Sequence, residues 1–174
     1  MSEVTINPVK DRGMIVVRGE ASVLGPALTA AIGCALPGTR QITQSERAQA
    51  AWMSPDEVLV LSHRETVEPI RAAIEEALAG THHLVADVSD ARALFAIRGP
   101  GWRNLLASGA PVDLHPDVFG PCEIRRTRLG QVACAFWATE QGAELVCFAS
   151  VGEFVGTWLE TAAKNASGSG LYAS

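Results

Sequence analysis

From residue 13 to residue 88 the chain reads strand, helix, strand, strand, helix, strand, and few folds accept that order. Residues 13–19, GMIVVRG, are a compact run rich in β-branched side chains, the signature of a strand. A helix is expected at about 22–32, with Pro26 in its first turn and Gly33 as its stop. Leu36-Pro37-Gly38 marks a turn. Residues 45–53 and 56–62 read as two strands joined at Ser54-Pro55, and the unbroken apolar run of the second suggests burial on both faces. Residues 66–79 form the clearest helix: Val67, Ile70, Ile74 and Leu78 share one face. Arg71 and Glu75 sit at i, i+4 on the solvent side, Pro69 falls in the first turn, and Gly80 closes the helix. A strand at 84–88 completes the order. This is the split βαβ, or ferredoxin-like, pattern, in which two helices cover one face of an antiparallel sheet.

A second round begins at residue 91. A strand (91–98) carries Leu94, Phe95 and Ile97, and Gly99-Pro100-Gly101 turns the chain into a helix at 102–108. Trp102, Leu105 and Leu106 share a face of that helix, and Gly109 is placed to end it in the left-handed conformation. After a proline-rich loop, 109–121, strands are expected at 123–127, 131–138 and 144–149. Ser150 and Glu153 have capping-box spacing for a last helix striped by Phe154, Trp158, Leu159 and Ala162. Residues 1–12 read as an extended lead-in and 165–174 as a flexible tail. The expected division is therefore 13–90 and 91–164, two α+β subdomains with mostly antiparallel sheets.

Composition narrows the function classes. A net charge of −5 with no basic cluster larger than Arg125, Arg126 and Arg128 argues against nucleic acid as a partner. No apolar run approaches the roughly 20 residues of a membrane helix, and the N-terminus has no signal-peptide pattern, so a cytoplasmic protein without membrane contact is expected. Cys34, Cys122, Cys134 and Cys147 are scattered, without a C-x-x-C pair, and read as small buried hydrophobes.

Candidate chemistry is sparse. Asp87 and Asp90 flank Ser89 where a strand ends; the sharp reading is a carboxylate pair for a cofactor. The plain one is turn bonding with a salt bridge to Arg92. Asp113-Leu114-His115 has the composition of an acid–histidine couple, but no serine or cysteine in a nucleophile context accompanies it. His82-His83 is a weak metal signal at a helix-to-strand connection, and Gly99-Pro100-Gly101 lacks the lysine and further glycines of a phosphate loop. Trp52, Trp102, Trp137 and Trp158 could form a ligand cage, though Trp102 and Trp158 fit helix stripes. No catalytic, cofactor-binding or metal-ligating residue is assigned.

Four segments in order, AWMSPDEVLVL (51–61), VADVSDARALFAIRGPGWRNLLASGAPVDLHPDVF (85–119), RRTRLGQVACAFW (125–137) and FVGTWLETAA (154–163), resemble the gamma subunit family of heterotetrameric sarcosine oxidase. Trp52 with Pro55-Asp56-Glu57, the DVSDAR run at 87–92, Gly99-Pro100, the DLHP run at 113–116 and Thr127-Arg128-Leu129 carry the likeness. The chain departs from the family pattern at Val58, usually aromatic, and at ASVGE before the last helix, where a basic residue is usual. The shorter DVSD-then-GP pattern also resembles the folate-binding aminomethyltransferases. The resemblance implies an aminomethyltransferase-like fold and a non-catalytic subunit that supports assembly of a flavoprotein complex. That complex demethylates sarcosine oxidatively to glycine, forming hydrogen peroxide and passing a one-carbon unit to tetrahydrofolate. It implies alpha, beta and delta subunits as partners, with FAD, FMN, NAD and tetrahydrofolate in the larger alpha and beta subunits and none in this chain. Pro55, Asp56, Glu57, Asp113, His115 and Pro116 are the expected partner contacts, because these motif-rich loops have no evident core role. The alternative is a stand-alone folate-binding, aminomethyltransferase-like protein using Asp87 or Asp90. Self-association of the isolated chain stays open.

Overall fold

The computed structural model describes residues 4–165. Its first strand, β1 (Thr5–Pro8), lies in the stretch expected to be a loose lead-in. It pairs antiparallel with a strand far along the chain, Thr5 opposite Arg98 and Pro8 opposite Phe95, and Val4 and Ile6 anchor it in a core. Four residues ending in proline carry little local strand signal; a distant partner supplies the pairing.

The chain then divides into two compact units, of which Asp11–Asp90 is one. It runs β2 (Arg12–Arg18), α1 (Ala21–Ile32), β3 (Ile42–Gln44), β4 (Gln49–Ser54), β5 (Glu57–His63), α2 (Val67–Ala77) and β6 (Leu84–Asp87). The sheet order is β3-β4-β5-β2-β6, and every adjacent pair is antiparallel. Apart from the short edge strand β3, this is the split βαβ order: β5 lies between the two strands that α1 connects. Ile15, Val17, Val58 and Val60 from the sheet meet Leu28, Ile32, Ile70 and Ile74 from the helices in one core.

Local chemistry accounts for the differences from expectation. Pro26 sits in the second turn of α1, because the helix starts at Ala21 with Glu20 as its N-cap. Burial of Leu24, Ala27, Leu28, Ala31 and Ile32 holds the helix together across the missing N–H. The strand expected from residue 45 starts at Gln49, because Ser45 builds a turn. Its hydroxyl donates to the Ile32 carbonyl (2.6 Å) and accepts from the amides of Arg47 and Ala48. Arg71 pairs with Glu68 through two bonds of 2.7 and 3.0 Å, leaving Glu75 to His83. Gly33 and Gly80 end their helices left-handed, at φ 72° and 79°.

The other unit adds to β1 the elements β7 (Arg92–Arg98), α3 (Trp102–Ala107), β8 (Ile124–Leu129), β9 (Val132–Thr139), β10 (Gly142–Phe148) and α4 (Gly152–Asn165). Its antiparallel order, β1-β7-β10-β9-β8, makes β8 to β10 a meander with β7 beside the last strand. Leu105, Leu106, Phe136, Leu145, Val155 and Leu159 form its core. Ser150 lies in a 3-10 turn, Ala149–Val151, so it precedes the helix without capping it. The helix phase set at Gly152 turns Val155 and Leu159 inward and leaves Phe154, expected inside, exposed. Gly109 does not take the left-handed conformation expected of it. It serves close packing instead: a Cβ there would fall 2.5 Å from the Trp158 ring. The expected flexible tail at 165–174 lies outside the described residues, except for Asn165, the last residue of α4. The α+β class with two mostly antiparallel sheets agrees with the sequence reading.

Candidate functional site

The sequence-chosen contacts fall in both units: Pro55, Asp56 and Glu57 in one, Asp113, His115 and Pro116 in the other. Ser54 opposes Glu57 across the β4–β5 hairpin, so Pro55-Asp56 is a two-residue turn. Neither central residue has positive φ, and a register shift between Trp52 and Ser54 absorbs the twist mismatch of such a turn. Asp56 accepts from the Ser54 hydroxyl (2.7 Å) and from Arg18 (2.8 Å), and these bonds hold its carboxyl below the ordinary range. Arg18 also lies 3.6 Å from Glu57. The turn is thus a fixed acidic knuckle with Pro55 and Asp56 exposed. It borders a cavity of about 680 Å³ whose walls include Arg18, Glu20, Val23, Asp56, His82 and Leu84.

Two arginines build the loop at 109–121. Arg103 Nη1 donates to the carbonyls of Leu114 (2.6 Å) and Phe119 (2.9 Å) while its guanidinium stacks on Trp102 at 4.3 Å. Arg125 donates to the Val118 carbonyl (3.0 Å) and covers the Phe119 ring at 5.0 Å. Phe119 is wholly buried, edge-on to both Trp102 and Phe136, so an aromatic column runs from β9 through the loop to α3. The Asp113 carboxylate accepts from the His115 backbone amide, not from the ring. The ring Nδ1 lies 3.3 Å from the Asp117 amide and 3.5 Å from the Asp117 carboxylate. The acid–histidine couple drawn from the sequence is therefore an Asx turn, with Asp113, His115, Pro116 and Asp117 all exposed.

The DVSD run is a structural staple. Ser89, 6% exposed, accepts from the Met14 amide (2.9 Å) and donates to Asp87 (2.6 Å), which also receives the Ser89 amide (2.9 Å). Asp90 pairs with Arg64, not with Arg92, which lies over the Phe148 ring. Desolvation acts to raise the Asp87 pKa, but the two bonds from Ser89, together with the charges of Arg64 and Arg71, leave the group below its ordinary value. A lowered folded pKa means stability present above the unfolded value near 4 and lost as pH falls through the folded one. Ser89→Ala should therefore cost about 2 kcal/mol at neutral pH. It should also flatten the loss of stability below about pH 4, which urea unfolding at stepped pH measures.

The remaining candidates do not assemble a chemical site. His83 bonds Glu75 (3.0 Å) and the Thr81 carbonyl (2.9 Å), contacts that raise its pKa. Among the described residues no group of three His, Cys, Asp or Glu is placed to hold a metal ion. Cys134 and Cys147 face each other across β9 and β10, and burial pushes their thiols up to about 12 and about 11. Cys122, expected inside, is exposed with φ 63°. Trp52 belongs to one unit and Trp102, Trp137 and Trp158 to the other, where Trp102 and Trp137 are buried and Trp158 packs against the core.

Residues 18–165 match the sarcosine oxidase, gamma subunit family. The chain belongs to that family. It is 30% identical over 117 residues to the sarcosine oxidase subunit gamma of Arthrobacter sp., covering 65% of this chain and 56% of that one. To the subunit gamma of Corynebacterium sp. strain P-1 it is 31% identical over 136 residues, covering 76% and 66%. The chain thus matches just over half to two thirds of the length of these relatives. A chain in the structure of heterotetrameric sarcosine oxidase from Corynebacterium sp. U-96 superposes with a TM-score of 0.87 at 26% identity, covering 95% of this chain and 86% of that one. The glycine cleavage system aminomethyltransferase T of Bartonella henselae shares the fold at a TM-score of 0.64 and 12% identity, covering 91% and 45%.

Seen as a gamma-family chain, its motifs sort by physical role. Ser89 and Asp87 stitch an edge strand to the sheet, and Gly99 turns the chain at φ 111°. Asp56, Asp113 and His115 stand outward on loops that other residues immobilise. Sequence reasoning missed the immobilising residues: Arg18, Arg103 and Arg125. None of the three had a local signal: even Arg18 meets Glu57 only through the long-range pairing of β2 with β5.

Proposed function

We propose that this chain is the gamma subunit of a heterotetrameric sarcosine oxidase and contributes assembly, not chemistry, to that complex. The observation that carries the reading is the family match across residues 18–165. The bonds that already engage the carboxylates of Asp87 and Asp113 within the chain agree with it. In this reading the partners are the alpha, beta and delta subunits, and alpha and beta hold FAD, FMN, NAD and tetrahydrofolate. The complex demethylates sarcosine oxidatively to glycine, with hydrogen peroxide and a one-carbon unit as the other products. Rigid, outward loops suit docking because little conformational entropy is lost on binding. The contacts proposed are the turn at 55–57 and the loop at 113–116.

Asp56→Ala with His115→Ala should lower affinity for the partner subunits by about tenfold, the effect of losing about 1–2 kcal/mol at an interface. Thermal unfolding of the isolated chain should stay within a few degrees of wild type. Unchanged affinity would remove both loops from the interface. A wild-type chain that purifies alone and binds folate at micromolar concentration would favour the stand-alone folate-binding alternative. The bonds that tie Asp87 to Ser89 count against that alternative.

A further inference from the structure

We infer that the free edge of β6 is a strand-addition site for a basic, extended segment of a partner subunit; the inference rests on the assembly reading above. Two hydrogen bonds fix which backbone groups face outward. The Val88 amide donates to the Met14 carbonyl at 2.9 Å, and the Gly19 amide donates to the Asp56 carbonyl at 3.1 Å. In an antiparallel ladder the bonded pairs alternate, so even-numbered residues of β2 bond toward β6 and odd-numbered ones toward β5. Ala86 and Leu84, opposite Val16 and Arg18, therefore spend their backbone groups on β2. Val85 and Asp87, opposite Val17 and Ile15, aim their N–H and C=O away from the sheet. Among the described strands, β6 pairs with β2 alone.

The other edges are blunted more strongly than this one. β1 ends in Pro8, β3 has three residues, and β8 carries Arg125, Arg126 and Arg128. These are the devices by which sheets discourage pairing with another chain. In β6, LVAD, the single charge is the terminal Asp87, and Leu84 at the other end is 50% exposed. The 680 Å³ cavity opens at that Leu84 end. A strand added along Val85 and Asp87 would place a side chain in the cavity, the arrangement by which strand addition gains specificity.

Charge selects the occupant. One guanidinium, Arg18, stands there with two carboxylates, Asp56, which it already contacts, and Glu20, beside the rings of His82 and His83; Glu57, 3.6 Å from Arg18, is not part of the wall. Arg18 answers Asp56, which leaves the Glu20 carboxylate to receive a lysine or arginine side chain. A second copy of this chain would bring the same carboxylates and another net charge of −5, which opposes edge-to-edge pairing of two copies.

The test is amide hydrogen exchange, read residue by residue, on the wild-type chain alone and in the complex with its partner subunits. The amides of Val85 and Asp87 should exchange at least tenfold slower in the complex, while those of Leu84 and Ala86 are protected in both states. Unchanged exchange at Val85 and Asp87 in an assembled complex overturns the edge site and leaves the assembly reading standing. A wild-type chain that joins no complex overturns both. Val85→Pro deletes one outward N–H and none of the bonds to β2. It should weaken assembly about tenfold with the circular dichroism of the isolated chain unchanged. Glu20→Arg should weaken it similarly, and an unaltered affinity would overturn the basic occupant.

Discussion

Gly142→Ala should destabilise the chain by about 3 kcal/mol or more. Gly142 opens β10 with φ 154°, a conformation that side chains rarely adopt. A Cβ at that position would lie 2.0 Å from the Ile97 carbonyl oxygen and 3.1 Å from the Arg98 Cα. Both obstacles are backbone in the neighbouring strand β7, so no rotamer change relieves them. The only escape is to part the strands where Gly142 opposes Arg98, at one end of the β7–β10 ladder. Gly130 provides the control. It has φ 60° in the β8–β9 turn, and a methyl group added there would meet nothing within 4 Å. Gly130→Ala meets only the intrinsic left-handed penalty of about 1–2 kcal/mol. Chemical denaturation of the two variants side by side measures the difference, and equal losses would refute the steric argument.

Arg103→Met should cost about 3 kcal/mol and release the loop at 109–121. One nitrogen of Arg103 serves two carbonyls, Leu114 and Phe119, that bracket the exposed tip of the loop. Methionine keeps part of the apolar stem against Trp102 but supplies no donor, removing the bonds that Arg103 gives both carbonyls. Arg103→Lys should recover less than half of the loss, since an ammonium lacks the planar fork that stacks on the indole while donating. Amide exchange at Val118 and Phe119, both now bonded to the His115 carbonyl, should rise with the methionine variant. Retained protection there would mean that the aromatic column of Trp102, Phe119 and Phe136 holds the loop without Arg103.

The elements that could be read from sequence are those whose signal is local. The stripe Val67, Ile70, Ile74 and Leu78 is visible because helical spacing alone brings those residues together, and all four are buried. The split βαβ order of the unit Asp11–Asp90 follows from such elements and the turns between them. β1 and β3 were not legible, because each depends on a partner strand to make it a strand. Phe154 misled for a related reason. Its hydrophobicity fits a stripe, but the 3-10 turn before Gly152 sets the helix phase and turns it outward.

The loops were legible as loops, and their internal wiring was not. A carboxylate two residues from a histidine suggests chemistry in sequence. In space Asp113 caps a backbone amide and the ring turns to Asp117. Arg103 and Arg125 gave no sign of their role, because the carbonyls they hold are brought to them only by the folded loop. The geometry separates residues that hold the motif segments, such as Ser89 and Arg103, from residues that they display, such as Asp56 and His115.

The role proposed for this chain is to join the partner subunits into one complex. The most direct test is native mass spectrometry with flavin absorbance on the four chains co-expressed, compared with the same set lacking this one. If so, one flavin-bearing species should contain this chain in equal ratio with its partners. That species should fall markedly when the chain is omitted, and the chain made alone should be colourless. A flavin-bearing complex that forms in full yield without this chain, and from which the added chain stays separate, would contradict that role.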